Sequence, residues 1–330
     1  MKNFIKISLF ALLFAACQND DASTTATQPS AKNGLSLLTE ANPEWQYENL
    51  RLYPVLAEAS AANNTVKDLK TLSEAMKTPG FRVLERKQFG RGDEAWYHGL
   101  TVQNKTQDTV LLMSGDVVTG GNQDRVMAYH DIVLPGTVKN IEVFCVEAGR
   151  SHYYDESASP VEKSVGAFKG YYNVASPQVR HAVQTSGNQH EVWAAVAKVT
   201  KANGAESSTS AYTALENATD QKSIRDAYLR FFDGKITNDS RVVGVVAVCG
   251  DRVLGIDIFG DADLFRRQFQ ALLHGYVAEA ATAEKATALD DKAISNAFND
   301  VARLSAPLAK PTAVAGKFSI GDNWVHLYKK

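Results

Sequence analysis

Two short stretches of this 330-residue chain gather polar side chains against apolar surroundings: TGGNQDRV (Thr119 to Val126) and VFCVEAGRSH (Val143 to His152). Arginine presents a planar fork of donors that matches a carboxylate or phosphate, so Arg125 and Arg150 could grip an anionic group bidentately. Glu147 could act as a general base or accept a ligand hydroxyl, and it is the candidate catalytic residue. Gln123 adds a donor and an acceptor. Gly120 and Gly121 permit a positive φ or a close approach of backbone to ligand. The same side chains also allow a plainer arrangement, an internal Arg125–Glu147 ion pair that fixes strand register. Cys145 would need a general base to act as a nucleophile, and His152 is the local one; its apolar flanks favour a buried thiol. The seven histidines show no ligand spacing and no C-x-x-C occurs, so neither a metal nor a cofactor is expected.

Something must bring the two stretches together. If VMAYHDIVL (Val126 to Leu134) and IEVFCVE (Ile141 to Glu147) pair as a hairpin turning near Thr137, Arg125 falls opposite Glu147 to Arg150. Gln123 then lies near Arg150 and His152. Strand side chains alternate, so Gln123 and Arg125 share a face, as do Cys145 and Glu147. One mouth of the sheet would hold them all.

Around this hairpin, ENLRLYPVL, FRVLERK, AWYHGLTVQN and TVLLMSG read as strands, and DLKTLSEAM reads as a helix stopped by Pro79-Gly80. From Pro177 to Phe232 the period becomes helical, with Val192, Val196 and Val199 on one stripe and Ile224, Tyr228 and Phe231 on another. RVVGVVAVC and RVLGIDIF form a hairpin at Gly250-Asp251, and Asp261 caps a helix with Phe265, Phe269, Leu272, Leu273 and Tyr276 inward. A helix near Lys292 to Leu304 and a hairpin at Gly321-Asp322 follow. The expected fold is α+β: a mostly antiparallel sheet or small β-sandwich, with helices packed on it from the C-terminal half. Two polar features stand apart. Gln189 and Trp193 are four apart on a helix and present together. Asp257, inside GIDIF, either caps backbone or faces the Glu147 site; as a second acid about 5 to 9 Å from Glu147 it would support hydrolase chemistry. No G-x-S-x-G, P-loop or G-x-G-x-x-G occurs.

The N-terminus speaks of location. Lys2 and Lys6 precede the apolar run ISLFALLFAA, too short to span a bilayer as a mature helix. Phe14-Ala15-Ala16-Cys17 then resembles a lipobox. Residues 1–16 are expected to be a lipoprotein signal peptide, with Cys17 lipidated and anchoring the protein in the cell envelope, at the outer membrane. Residues 17–36, rich in Ser, Thr, Ala, Asn and Gln, read as a disordered tether reaching about 20 to 25 Å, and 37–330 as one domain. The composition, 45% hydrophobic and 22% charged, is that of a globular protein. Loss of two lysines with the leader takes the formal net charge of −2 further negative, which argues against nucleic acid as a partner.

The chain resembles the ARPP-1 family, the "ARG and rhodanese-phosphatase superfamily associated protein" domain. The likeness rests on GGNQDRV (Gly120 to Val126), VFCVEAGR (Val143 to Arg150), QHEVW (Gln189 to Trp193) and the SST stretch (Ser207 to Thr209), with GIDIF (Gly255 to Phe259) as a late acidic strand. Ser151 stands where relatives often carry an aromatic residue. The family name implies association with ADP-ribosylglycohydrolase and phosphatase-like domains and no defined activity. The resemblance adds Gln189 and Trp193 to the expected mouth. Three functions follow as expectations. The first is a binding domain for a small anionic or hydroxylated ligand through Gly120, Gly121, Gln123, Arg125, Arg150, Gln189 and Trp193. The second is a hydrolase or transferase on a sugar- or nucleotide-like substrate with Glu147 as acid or base. The third is a structural envelope protein.

Overall fold

A computed structural model of the chain describes residues 30–58, 64–85, 99–150, 166–306 and 315–329. Residues 1–16, Cys17 and His152 lie outside this set. The described residues begin at Ser30, within the stretch 17–36.

The largest sheet joins β1 (Ser30–Lys32), β2 (Leu35–Leu37), β4 (Leu50–Ala57), β14 (Val242–Cys249), β15 (Arg252–Phe259), β17 (Asn323–Lys329) and β16 (Ala315–Ile320) in that order, with β3 (Gln46–Tyr47) also on β4. Every strand pair in it is antiparallel. Its centre, β14, is buried along its whole length, as its unbroken apolar sequence requires. One face packs on helix α6 (Ala262–Ala280), capped by Asp261 and burying Phe265, Phe269, Leu272, Leu273 and Tyr276. The other face packs on α7 (Asp291–Ala302) through Ile294, Phe298 and Val301.

A second sheet runs β13 (Phe168–Val174), β9 (Asp116–Gly120), β10 (Arg125–Met127), β12 (Val138–Cys145), β7 (Gly99–Asn104) and β6 (Phe81–Glu85). Its two edges meet: Leu84 bridges to Ala167, and the Glu85 N–H donates to the Gly166 carbonyl at 2.9 Å. The sheet therefore closes into a small barrel, which removes its exposed edges. At period two, Phe81 and Val83, Leu100 and Val102, Ile141 and Val143, Val118, Met127 and Phe168 fill the interior. Val117, Val126, Phe144 and Val146 point outward, under α3 (Pro177–Thr185) and α4 (Gln189–Ala202). A third, three-stranded sheet joins β11 (Asp131–Val133), β8 (Val110–Leu112) and β5 (Lys70–Thr71), with β5 and β8 parallel. Helices α1 (Asn64–Lys67) and α2 (Leu72–Ala75) are single turns, and α5 (Thr219–Phe232) packs beside α6.

The α+β class and its antiparallel sheets match the sequence reading, and three local expectations need correction. DLKTLSEAM is helical over one turn, because Thr71 and Glu74 close a capping box and Lys70–Thr71 joins a sheet. VMAYHDIVL is split: β10 stays in the barrel while β11 crosses to β8. Ile224 is 42% exposed, and α5 instead buries Tyr228 and Phe232. Cys145 and Cys249 are both buried and both free.

Candidate functional site

Continuing the inward period by one step places Glu85 beyond Val83, Arg125 before Met127, and Cys145 beyond Val143, all at one end of the barrel interior. Ladder register confirms the facing: Arg125 lies opposite Cys145 on one side and Val118 on the other. The expected register placed Arg125 opposite Glu147 to Arg150, so the true pairing slips relative to it. Arg125 and Cys145, directly opposite each other, share the inward face. The cause of the slip is the departure of the chain after Met127, which makes the connection something other than a simple hairpin.

Arg125 is therefore not paired with Glu147. Its Nη2 stands 3.5 Å from Glu85 Oε2, and its Nη1 contacts Cys145 Sγ. Glu85 Oε1 also accepts the Asn122 N–H at 2.8 Å. Burial, with the Glu85 and Glu147 carboxylates nearby, pushes the Cys145 thiol up despite Arg125. This sulfur is a poor nucleophile.

Above this layer Arg150 gathers the rest. It reaches Glu147 Oε2 with Nε at 2.8 Å and Nη2 at 2.7 Å, Asp124 Oδ1 with Nη2 at 3.0 Å, and the Gly121 carbonyl with Nη1 at 3.2 Å. Asp124 further accepts from the Gly120 N–H at 3.0 Å and the Thr213 hydroxyl at 2.8 Å, while its own N–H donates to Glu147 at 3.1 Å. Gln123 donates to the Glu147 carbonyl at 2.7 Å. Side-chain exposure is 5% for Glu147, 8% for Asp124 and 19% for Arg150, so Arg150 is the most exposed of the three. Gly120 and Gly121 both have positive φ; a Cβ on Gly121 would lie 2.7 Å from Glu85 Oε1 and from the Phe168 ring.

The two carboxyls are driven apart. Burial raises Asp124 above its ordinary value, with Gly120, Thr213 and Arg150 opposing. Burial also opposes ionisation of Glu147, but Arg150, Thr209 and the Asp124 N–H together outweigh it and hold Glu147 below its ordinary value. Asp124 and Glu147 each bond one guanidinium nitrogen, at 3.0 and 2.7 Å, so their oxygens are no farther apart than the sum of those distances.

The four segments quoted above meet here. The Gly149 N–H donates to Thr209 O at 2.8 Å, and a Cβ on Gly149 would fall 2.8 Å from Thr209 Cα, so the Gly-Arg pair and the SST stretch pack backbone to backbone. Gln189, the first residue of α4, bonds the backbone of Cys145 through both amide atoms at 2.8 Å. Trp193 does not join them. Its ring meets His190 edge-on at 5.5 Å, and its buried indole N–H has no acceptor among the described residues.

Asp257 neither caps backbone nor approaches Glu147. It is fully buried in a separate cluster, held by Arg180 of α3 at 2.9 and 2.6 Å, by His326 at 3.0 Å and by the Tyr276 hydroxyl. Arg180 overcomes the burial penalty and depresses its carboxyl strongly. His326 also bonds His130 at 2.8 Å. Nearby, Asp116 accepts from the Met113 N–H, the Tyr171 hydroxyl and Gln268 at 2.8, 3.0 and 3.2 Å, and burial still raises it to about 7.

Sequence reasoning missed Asp124, Glu85 and Thr213 at the mouth. Asp124 had a signal, an Asp four residues after a glycine pair's start, suited to bond turn backbone. Glu85 had one too, a charge on the apolar face of an alternating strand. Thr213 had none. Among the described residues no group of His, Cys, Asp and Glu is arranged to hold a metal ion.

These features define an α+β protein in which a closed antiparallel barrel carries a polar mouth built from four separated segments. The chain belongs to the ARPP-1 family, the ARG and Rhodanese-Phosphatase-superfamily-associated Protein domain, whose profile matches residues 39–324. No curated protein and no solved structure matches it.

Proposed function

We propose that the protein is a lipid-anchored cell-envelope domain, held at the outer membrane through Cys17, that binds a small ligand at the barrel mouth. The observation that carries this reading is the convergence of Glu85, Arg125 and Cys145 at one end of the barrel interior beneath Arg150, whose side chain is 19% exposed. Barrel mouths are recurrent ligand sites. Of the two ligand types expected, the geometry favours the hydroxylated over the anionic one: three carboxyls (Glu85, Asp124, Glu147) stand against two guanidiniums already bonded to them. Hydroxyls would donate to Glu147 or Asp124 and accept from Arg150.

Thermal stabilisation of the leaderless Cys17→Ser chain by sugars, nucleotides, ADP-ribose and organic acids tests this. A hydroxylated ligand should raise the melting temperature of wild type and lose that effect in Arg150→Gln and Glu147→Gln. No shift with any compound, together with a large stability loss in both variants, would leave the cluster a purely structural one. The anchor is tested separately: Cys17→Ser in cells should move the protein from the membrane to the soluble fraction.

A hydrolase on a sugar- or nucleotide-like substrate is the second reading, favoured by the divergence of Asp124 and Glu147. Two close carboxyls pushed to opposite sides of their ordinary values suit a proton donor beside an ionised partner. In this version Asp124 is the acid and Glu147 the base or nucleophile. Carboxyl NMR titration should find Asp124 above 3.8 and Glu147 below 4.5. The reverse order would remove the assignment.

A further inference from the structure

A cleft of about 520 Å³ opens on the large sheet, away from the barrel mouth, and its size is typical of small-molecule sites. It is lined by residues 39–43, Trp45 and Gln46, by Arg51 to Tyr53 of β4, and by Asp291 at the start of α7. The site follows from the strand pattern. Arg51 and Tyr53 are two apart and share a face, and β3 pairs Gln46 with Arg51, which carries Trp45 to the cleft's edge. Trp45 lines the cleft and is partly buried against the core cluster that contains Leu50 and Leu52.

Arg51 differs from the arginines of the two buried carboxylate clusters. It is half-buried, its Nη1 donates to the Tyr53 hydroxyl at 3.3 Å, and among the described residues no carboxylate lies within ion-pair reach of it. Arg125, Arg150 and Arg180 all have such partners. A guanidinium has five donors, and those of Arg51 that meet no acceptor among the described residues suit an incoming carboxylate. Exposed Glu40 and Asp291 at the rim are acceptors suited to hydroxyls, and Trp45 offers a flat apolar surface suited to the C–H face of a ring.

We infer that this cleft is a second binding site, taking an acidic sugar ring whose carboxylate pairs with Arg51 and whose ring lies on Trp45. The inference does not depend on the function proposed for the mouth. Two-dimensional NMR of the leaderless Cys17→Ser chain titrated with glucuronate and, separately, glucose tests it, with the Trp45 indole N–H assigned from a Trp45→Phe variant. Glucuronate should shift the Trp45 resonance saturably, glucose should bind at least tenfold more weakly, and Arg51→Gln should weaken glucuronate at least tenfold while its spectrum stays that of the folded protein. Equal binding of the two sugars, no saturable shift with either, or unchanged glucuronate binding in Arg51→Gln would each overturn the inference. Arg51→Lys serves as a second variant if Arg51→Gln does not fold, since it keeps the charge but loses the fork and should weaken glucuronate in the same direction.

Discussion

Gln189 takes the place of a missing strand beside Cys145. Its Nε2 donates to the Cys145 carbonyl and its Oε1 accepts the Cys145 N–H, both at 2.8 Å, on the edge of β12 that faces away from β10. The direction follows from alternation, because the next N–H, that of Val146, donates to Asp124 O at 3.0 Å. Below this point β7 occupies that edge; at Cys145 one amide side chain does.

Gln189→Leu should therefore destabilise the protein by about 2 to 4 kcal/mol, since two main-chain groups lose their partners in a half-buried place. Urea denaturation checks this. An unchanged midpoint would mean that the amide has no structural role and is free to serve a ligand.

At the Arg180–Asp257 pair the cost should be larger. Both side chains are buried, at 2% and 0% exposure, and removing one partner leaves the other charge uncompensated. Asp257→Ala should cost about 3 to 5 kcal/mol, and Arg180→Met combined with Asp257→Leu should recover much of it. A double variant no more stable than the single would show that His326 and Tyr276, not the charge pair, carry the effect.

Stability should fall as pH rises through the window set by Asp116. Its carboxyl titrates at 3.8 ordinarily and at about 7 in the fold. Between those values the unfolded chain has released a proton that the folded chain keeps, so proton release favours unfolding as pH increases. The full effect is about 4 kcal/mol, present below the lower value and lost through the upper one. Asp116→Asn should flatten the slope, as measured by unfolding free energy across that range; an equal slope in both proteins would rule Asp116 out. Asp257, with its carboxyl depressed, acts in a different window: its contribution is present above its unfolded value and is lost at more acid pH.

Gly121→Ala should be worse than Gly136→Ala. Both glycines have positive φ, 56° and 69°, so both substitutions carry the left-handed penalty of about 1 kcal/mol. Gly136 has nothing within 4 Å of a new Cβ, whereas Gly121 would press on Glu85 and Phe168 at 2.7 Å. A further loss of about 1 to 3 kcal/mol is expected from that crowding. Equal midpoints in thermal unfolding would show that Glu85 simply moves aside.

Local patterns in the chain foretold many of these elements because each is governed by neighbours in sequence. Gly250-Asp251 turns a hairpin, Asp261 caps a helix, and Phe265 to Tyr276 lie inward, all from spacing alone. The mouth was legible as a set of residues and not as a set of bonds. Arg125 has the face expected of it, yet its partner is Glu85 at 3.5 Å, a residue 40 positions earlier, brought near by closure of the barrel. No local pattern specifies that closure. Arg180 and His326 lie in a helix and a strand far apart in the chain, and only the packing of α3 against the large sheet makes them partners of Asp257.

His130 meets two rings of the large sheet's terminal hairpin, stacked on Phe318 at 5.3 Å and on Tyr328 at 4.8 Å, while it bonds His326. Its own chain emerges from β10, the strand that begins with Arg125. The imidazole protons therefore lie in the ring currents of two aromatic neighbours from a different sheet. Their resonances form a built-in gauge of how the barrel is seated against that sheet, readable without any added label.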